Sequence, residues 1–352
     1  MHSDIQWIEA IAPDMVDMLS RRYLVLRTIN WMAPVGRRLL AQTLGVSERT
    51  LRTETDTLRK LDLIMTNKSG MQVTQQGQDV LVGLSHFMDE LMGIRQKERQ
   101  LAQYFNIKRC IIVSGDSDRQ LKVIGTMGEE VNQLLQQLLP EGRNIIAVMG
   151  GHTMEHVASH LTNKLGDKRD LLFVPARGGV GESVAIQANT IASQMAQHTG
   201  GKFRSLFVPE QVSERTYEPL LKEPSIQEVL AIIGQANVVV HSIGEAISMA
   251  HRRNMSEDQI KVLRSREAIG EAFGYFFDKK GNVVYRIPRI GLQIGELAHR
   301  EIILAIAGGA SKATAIAAYM KNIAPKQTCL ITDEGAANLI LKKVIFYSEV
   351  AF

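Results

Sequence analysis

Residues 37–64, RRLLAQTLGVSERTLRTETDTLRKLDLI, decide how the chain is read. Arg37 to Leu44 has the apolar spacing of a short amphipathic helix. Gly45 and Val46 interrupt it, and a second helix starts at Ser47, which together is the pattern of a helix-turn-helix. Gly45 suits the left-handed conformation that closes the first helix, and Ser47 suits a cap that accepts a backbone N–H of the second. Leu51, Leu58 and Leu61 are expected to face the core. The opposite side presents Arg49, Thr50, Arg52 and Thr53 near the N-terminal end of the second helix, the end that enters a major groove in such modules. With Ser47 at the turn and Arg37 and Arg38 at the start of the first helix, these are the candidate DNA contacts.

An ordinary helical hairpin would show the same periodicity, so charge has to separate the two readings. Between Ser20 and Lys60 nine Lys and Arg face three acids, a net of +6, whereas the whole chain carries only +4 and the remainder is therefore −2. Concentrated positive charge of this kind neutralises phosphates along a nucleic-acid backbone. Upstream, Leu19, Tyr23, Leu26 and Ile29 give a helix over about 16–31, broken at Pro34. Downstream, LIMTNKSGMQVT (63–74) predicts a β-hairpin with Lys68 at its tip, which makes the module a winged helix-turn-helix. From Gln75 to Asn106 there is no proline, and Leu81, Leu84, Met88 and Leu91 recur at helical spacing, with Ala102 and Phe105 continuing the seam. One long helix is expected, either pairing with a second copy or packing on its own domain. The domain expectation is 1–75, a linker or dimerisation helix over 76–106, and 107–352.

At 352 residues, 45% hydrophobic and 22% charged, the chain suits one small and one large globular domain, and no apolar run approaches the roughly 20 residues that span a bilayer. The first twelve residues lack the basic start and apolar middle of a signal peptide, so a cytoplasmic location is expected. Cys110 and Cys329 each sit beside an apolar run without the partners of a metal site or redox pair, and are expected to be structural.

After Lys108 short apolar runs alternate with amphipathic segments: 110–113, 145–149, 171–174, 238–240, 302–307 and 330–331. This predicts an α/β domain with a doubly wound parallel sheet, whose ligands bind beyond the carboxyl ends of the strands. Those ends read MGGHT (149–153), PARGGVGES (175–183), SIGEA (242–246), AGGASK (307–312) and TDEGAAN (332–338). Glycine lets a backbone approach an anion, and a helix that starts next aims unpaired N–H groups at it. With Arg177, Arg252 and Lys312 nearby, a small ligand carrying one or two phosphates is expected.

Two enzyme readings compete with this. His152, Glu155 and His156 form an H-x-x-E-H string, with His160 on the same face, but the string begins where a phosphate loop is expected and has no convincing further ligand, so no metal is expected. A sugar-phosphate isomerase or deaminase would use the same fold and needs a positioned acid and base, for which Glu182, Glu271 and Asp333 are candidates. A fused DNA-binding module argues against a metabolic enzyme.

The motifs PVGRRLLAQTLGVSERTLR (34–52), MGGHT, PARGGVGE, GEAFGYFF (270–277), AGGASK and LITDEGAA together resemble the SorC family of sugar-responsive bacterial regulators. The resemblance covers nearly the whole chain. It implies a repressor of a glycolytic operon, induced by fructose-1,6-bisphosphate, whose effector domain is similar to sugar-phosphate isomerases and deaminases that have lost catalysis. It also implies a dimer or tetramer on operator DNA, with no cofactor beyond the phosphorylated sugar. Position by position it implies a phosphate loop at Gly150, Gly151, His152 and Thr153, with Lys312, Arg177, Gln187 and Arg252 as further contacts and Glu271 bonding sugar hydroxyls. His152 is a departure, since the family often has threonine there.

Overall fold

The structure, a computed structural model, describes residues 7, 8, 10–178, 183–209 and 214–349. It divides into two compact units, Met1–Lys97 and Glu98–Phe352. The first contains α1 (Pro13–Met32), α2 (Arg37–Leu44), α3 (Glu48–Lys60), β1 (Ile64–Asn67), β2 (Gly70–Val73) and α4 (Gln75–Leu91). Gly45 ends α2 at φ +65°, and Ser47 Oγ caps α3 by accepting from Thr50 N at 3.1 Å. Asn67 Oδ1 accepts from the N–H groups of Ser69 and Gly70, which closes the β1–β2 hairpin. Gly70 cannot be replaced without strain, because a Cβ there would lie 2.9 Å from the backbone of Val35, which bridges to Met71.

Leu26, Ile29, Leu40, Leu51, Leu58, Ile64 and Met88 form the core of this unit. Truncating a buried leucine such as Leu51 typically costs about 2–5 kcal/mol. Leu61 departs from expectation: it is the C-cap of α3 and is exposed, because the helix ends before its side chain turns inward. The single helix expected over 75–106 is two helices, α4 and α5 (Ile94–Phe105), separated at Met92 and Gly93. Gly93 has φ +70°, a left-handed conformation that glycine adopts without penalty and that a continuous helix excludes. Leu81 and Met88 are buried in the unit's own core, with Leu84 and Leu91 packed against it, so this part of the apolar seam serves intradomain packing.

The second unit is an α/β domain. After α5 come β3 (Arg109–Val113), α6 (Lys122–Leu138), β4 (Gly142–Val148), α7 (His152–His160), β5 (Arg169–Pro175), α8 (Ala188–Thr199) and β6 (Lys202–Phe203). Then follow α9 (Glu214–Lys222), α10 (Pro224–Gly234), β7 (Val238–Ser242), β8 (Gly244–Glu245), α11 (Ala246–Arg252), α12 (Glu257–Ser265), β9 (Gly270–Ala272), β10 (Tyr275–Phe277) and β11 (Val283–Arg286). The chain closes with β12 (Ile302–Ile306), α13 (Ala313–Asn322), β13 (Thr328–Asp333) and α14 (Glu334–Glu349).

The main sheet runs β3-β13-β12-β7-β4-β5-β6 with every neighbour parallel. Each expected apolar run became one of its strands, and β12 and β13 are buried along their whole length. Such strands need cover on both faces. Val123, Met127 and Val131 of α6, Met154 and Val157 of α7, and Ile191 and Met195 of α8 pack in one cluster with Ile146, Val148, Phe173 and Val240 of the sheet. Against β9, β10 and α13, the His241 ring lies tilted at 4.8 Å from Phe273 and edge-on at 5.4 Å from Tyr319. A four-stranded antiparallel sheet, β11-β10-β9-β8, is a feature that the sequence pattern does not announce. Chain order reverses between β4 and β7: β5 and β6 continue on one side, β12 and β13 on the other. That crevice is where an open α/β sheet accommodates a ligand.

Candidate functional site

A cleft of about 510 Å³ opens at this switch point. Its walls come from the ends of three strands: Gly151, His152 and Thr153 after β4; Ser242 to Glu245 at β7 and β8, with Ser248, Met249 and Arg252 of α11; and Ser311 and Lys312 after β12. Gly151 is the N-cap of α7 at φ +132°, and no side chain caps that helix, so its first N–H groups face the cleft with the positive end of the helix dipole. Gly150 admits no side chain, because a Cβ would lie 2.4 Å from Ile186 O. A Cβ at Gly151 would lie 3.7 Å from Arg252 Nη1 and 3.6 Å from Ser242 Oγ, which locates both groups beside the helix start.

Lys312 is held by the loop that follows β12. Asp118 accepts from Ser311 N at 2.7 Å and from Ser311 Oγ at 3.0 Å, and Asp333 Oδ2 accepts from Gly309 N at 2.7 Å. Burial lowers Lys312 below the ordinary lysine range, Arg252 adds to this, and Asp118 and Asp333 oppose it. Two cations that feel each other across a helix N-terminus make a site for a multiply charged anion. The cleft lining also includes a carboxylate. Glu245 accepts from Ile247 N at 3.0 Å and from Ser248 N at 2.7 Å, capping α11. Burial would raise its carboxyl, but the N–H donors of Ser248 and Ile247 outweigh burial and hold it below the usual range.

Of the effector residues expected from sequence, Gly151, His152, Thr153, Arg252 and Lys312 line this cleft and Gly150 adjoins it. Arg177, Gln187 and Glu271 are not among its walls. Gln187 is the N-cap of α8, with its backbone against Gly150, and Arg177 is buried at a bridge to Gly291. Glu271 is buried, and both its oxygens are engaged: Arg253 Nη1 donates to Oε1 at 3.0 Å, Arg253 Nη2 to Oε2 at 3.1 Å, and Gly274 N to Oε1 at 2.5 Å. Burial raises its carboxyl, but Arg253, Arg289 and Arg177 pull it below the usual range. Arg252 and Arg253, adjacent in sequence, therefore part: the first faces the cleft, the second pairs inside the fold. Sequence reasoning marks the loops holding Ser242, Glu245 and Ser311 without selecting those residues, and misses Ser248, which lies on α11 beyond the loop; a polar side chain beside a strand-end glycine is the available signal for the first three.

The enzyme candidates fare differently. Asp333 is buried and accepts from the backbone N–H groups of Ser117, Gly309 and Ala336, and Glu182 lies outside the described residues. Among the described residues no group of three His, Cys, Asp or Glu side chains is arranged to hold a metal ion, and His160 instead packs over Gly125 and Gly128 of α6. Cys110 and Cys329 are buried free thiols, and burial pushes both up.

In the first unit α3 presents Arg49, Arg52 and Thr53 outward, with Thr50 half-buried at its N-terminal end and Arg37 and Arg38 exposed on α2. Ser47 Oγ is 2.8 Å from Thr50 Oγ1, so these two hydroxyls serve the cap. Lys68 is exposed on the hairpin. The charge count overstates the accessible basic surface. Arg27 is buried with its guanidinium 4.7 Å from the Trp31 ring, and Arg21 and Arg22 flank the buried Glu54 at 3.7 and 3.1 Å.

Comparison with known proteins matches residues 18–88 to the CggR N-terminal DNA binding domain and residues 89–342 to the Sugar-bind family of sugar-binding domains. A "Central glycolytic genes regulator" of Bacillus subtilis is 42% identical over 342 residues, covering 97% of this chain and 99% of the relative. The chain belongs to the SorC family of transcription regulators. A crystal structure of a SorC family transcriptional regulator from Enterococcus faecalis shares 58% identity over 70% of this chain and 99% of that one, with a TM-score of 0.67. The full-length sorbitol operon regulator SorC of Klebsiella pneumoniae, 17% identical, shares the fold over 92% of this chain and 99% of its own at a TM-score of 0.61. In this SorC-family chain the winged helix-turn-helix is the DNA-binding part and the α/β unit the sugar-binding part. No helix among the described residues is long and apolar enough to cross a membrane.

Proposed function

We propose that the protein is a repressor of a glycolytic operon whose hold on its operator is relieved by fructose-1,6-bisphosphate. The observation that carries this reading is the cationic end of the cleft, where Arg252 and Lys312 flank the uncapped start of α7. A phosphoryl group seated there accepts from the N–H groups at His152 and Thr153 and neutralises both cations. The His152 imidazole stands in place of a hydroxyl donor and supplies a ring nitrogen to the same end. Gly150 and Gly151 keep the approach open, and Arg177, Gln187 and Glu271 complete the effector set that the resemblance implies. The 42% identical relative, named for central glycolytic genes, supports the operon class.

On this reading the chain is not an enzyme. The carboxylate nearest the cleft, Glu245, is bonded by two backbone N–H groups and is a poor proton acceptor. The DNA-reading part extends to about residue 75, residues 76–106 connect it to the effector part, and two or four copies act together in the cytoplasm. Arg37, Arg38, Arg49, Arg52 and Thr53 reach the operator, with Ser47 and Thr50 fixing the end of α3 that enters the groove. Fructose-1,6-bisphosphate must bind the DNA-free arrangement more tightly than the DNA-bound one, since equal affinity shifts nothing.

The test is a calorimetric titration of the full chain with fructose-1,6-bisphosphate, paired with fluorescence anisotropy on a promoter fragment. Binding accompanied by release of DNA is expected, and Lys312→Ala should weaken the first at least tenfold while leaving ligand-free DNA affinity unchanged. Saturable sugar-phosphate binding with no effect on DNA, or none at all, would sink the inducer assignment.

A further inference from the structure

Lys312, on the cleft wall, is also the N-cap of α13, so the loop that carries it runs straight into that helix. Asp118 and Asp333 bond the backbone of the loop and act on the Lys312 charge. A phosphoryl group in the cleft competes with both carboxylates for the ammonium, and so draws on the first turn of α13. Ala315, Ile316, Ala318, Tyr319 and Met320 form one buried face of the helix, and packed helices answer such a pull by small rigid shifts. At ten residues α13 spans about 15 Å. Its far end is tied to α5: Lys321 Nζ donates to Tyr104 O at 2.6 Å and lies 4.5 Å from the centre of the Tyr104 ring. α5 is the helix in which the chain passes from the first unit, ending at Lys97, to the second, starting at Glu98. A second tie holds α5 nearer its start, where Glu98 Oε1 accepts from Ile112 N of β3 at 2.9 Å. A shift of α13 is therefore delivered to one end of α5, with Glu98 as the fixed point.

We propose that α13 links the cleft to the DNA-binding unit: a phosphoryl group on Lys312 shifts the helix, and Lys321 passes that shift to α5 through its contact with Tyr104. This deepens the reading above and rests on the cleft being the sugar-phosphate site. A ligand moves an equilibrium only through contacts whose free energy differs between the two arrangements, here DNA-bound and DNA-free. The Lys321 contact is placed to be one of them. One partner is joined to the cleft loop by a single helix, and the other belongs to the helix that leads back to the recognition helix. Lys321 is thus a positioning residue, at the end of α13 away from the cleft. Both it and Tyr104 are exposed, and an exposed contact of this kind adds little to the stability of the fold. Its part in coupling can therefore be separated from any part in folding.

The experiment measures, for the full chain on a promoter fragment, the ratio of DNA Kd with and without saturating fructose-1,6-bisphosphate, and by calorimetry the affinity for the sugar phosphate alone. The wild type is compared with Lys321→Met, Lys321→Arg and Lys312→Ala. Lys321→Met keeps the aliphatic stem and loses the charge and the hydrogen bond. It should leave sugar-phosphate affinity and ligand-free DNA affinity within about twofold of wild type, while the ratio falls about fivefold toward one, the size of a single coupling contact. Lys321→Arg keeps a charged donor and should retain most of the ratio. If Lys321→Met keeps the wild-type ratio, coupling runs elsewhere, for instance between copies of the chain, and the proposal is wrong. It is equally wrong if Lys321→Met weakens both affinities with the ratio intact, because the residue then acts only through the fold. Lys312→Ala should weaken the sugar phosphate; if it does not, the reading of the cleft fails first and takes the proposal with it.

Discussion

Replacing Glu271 with Gln tests how much this carboxylate contributes to holding the fold together. Its side chain and that of Arg253 are only 4% and 2% exposed, and they meet in a bidentate pair at 3.0 and 3.1 Å. Arg289 and Arg177 also act on the same carboxylate. Removing the negative charge leaves a buried guanidinium uncompensated and the Gly274 N–H with a weaker acceptor. Breaking a buried pair in this way costs about 3–5 kcal/mol, and a unit of this size loses about 2–4 °C in Tm per kcal/mol, so a fall of roughly 10 °C is expected. Thermal unfolding of the full chain, followed by circular dichroism, reads the change. Removing both partners as Arg253→Met with Glu271→Met should recover part of the loss, because neither charge is then stranded. The reasoning is refuted if Glu271→Gln unfolds within about 2 °C of the wild type. That result would make the pairing of Glu271 with Arg253 dispensable to the fold.

Arg52 is exposed on α3, 3.9 Å from Asp56. Arg52→Ala should weaken operator binding several-fold and reduce the slope of log affinity against log salt by about one, with sugar-phosphate affinity unchanged; parallel loss of both activities would overturn the division of labour between the units. His241 is buried against Phe273 and Tyr319, and burial lowers its pKa to about 4. The unfolded chain then binds a proton that the folded chain refuses between about pH 6.5 and 4, so the stabilisation present above pH 6.5 is lost as pH falls through that window, by ~3 kcal/mol in all. Denaturant unfolding across this range should show that acid limb flatten in His241→Asn, even if the variant is less stable at neutral pH; an unchanged slope would mean that His241 is protonated in the folded state.

The main sheet was legible because a parallel strand covered on both faces must be apolar at every position, and such runs stand out from helical periodicity. All six runs became strands. The helix-turn-helix was legible for a different reason: Gly45, Ser47, Asn67 and Gly70 each sit where one backbone conformation or cap requires that residue type. What escaped was the antiparallel sheet of β8 to β11, whose strands are only two to four residues long and therefore complete barely one alternation. The break at Gly93 escaped because the apolar spacing on either side continues through it, and a single glycine lowers helix propensity without announcing a left-handed turn.

The candidate site divides along the same physical line. Glycines and cations at strand ends were found because proximity to a strand end follows from chain position, and Gly150, Gly151, His152, Thr153, Arg252 and Lys312 need little else to meet at one crevice. Carboxylates are harder to place, because their role depends on which donors surround them. Glu245 and Glu271 lie on adjacent strands of the small sheet, with Gly244 in register with Glu271. One extra residue in the register separates a carboxylate that lines a cleft from one buried among arginines, and no sequence period marks that sheet. Arg252 and Arg253 differ by one position and divide in the same way, toward the cleft and toward Glu271. The two pairs are linked: Arg253 engages Glu271 inside the fold, while Arg252 and Glu245 line the cleft. Which of the two carboxylates lines the cleft is thus set by a register that only the folded antiparallel sheet defines.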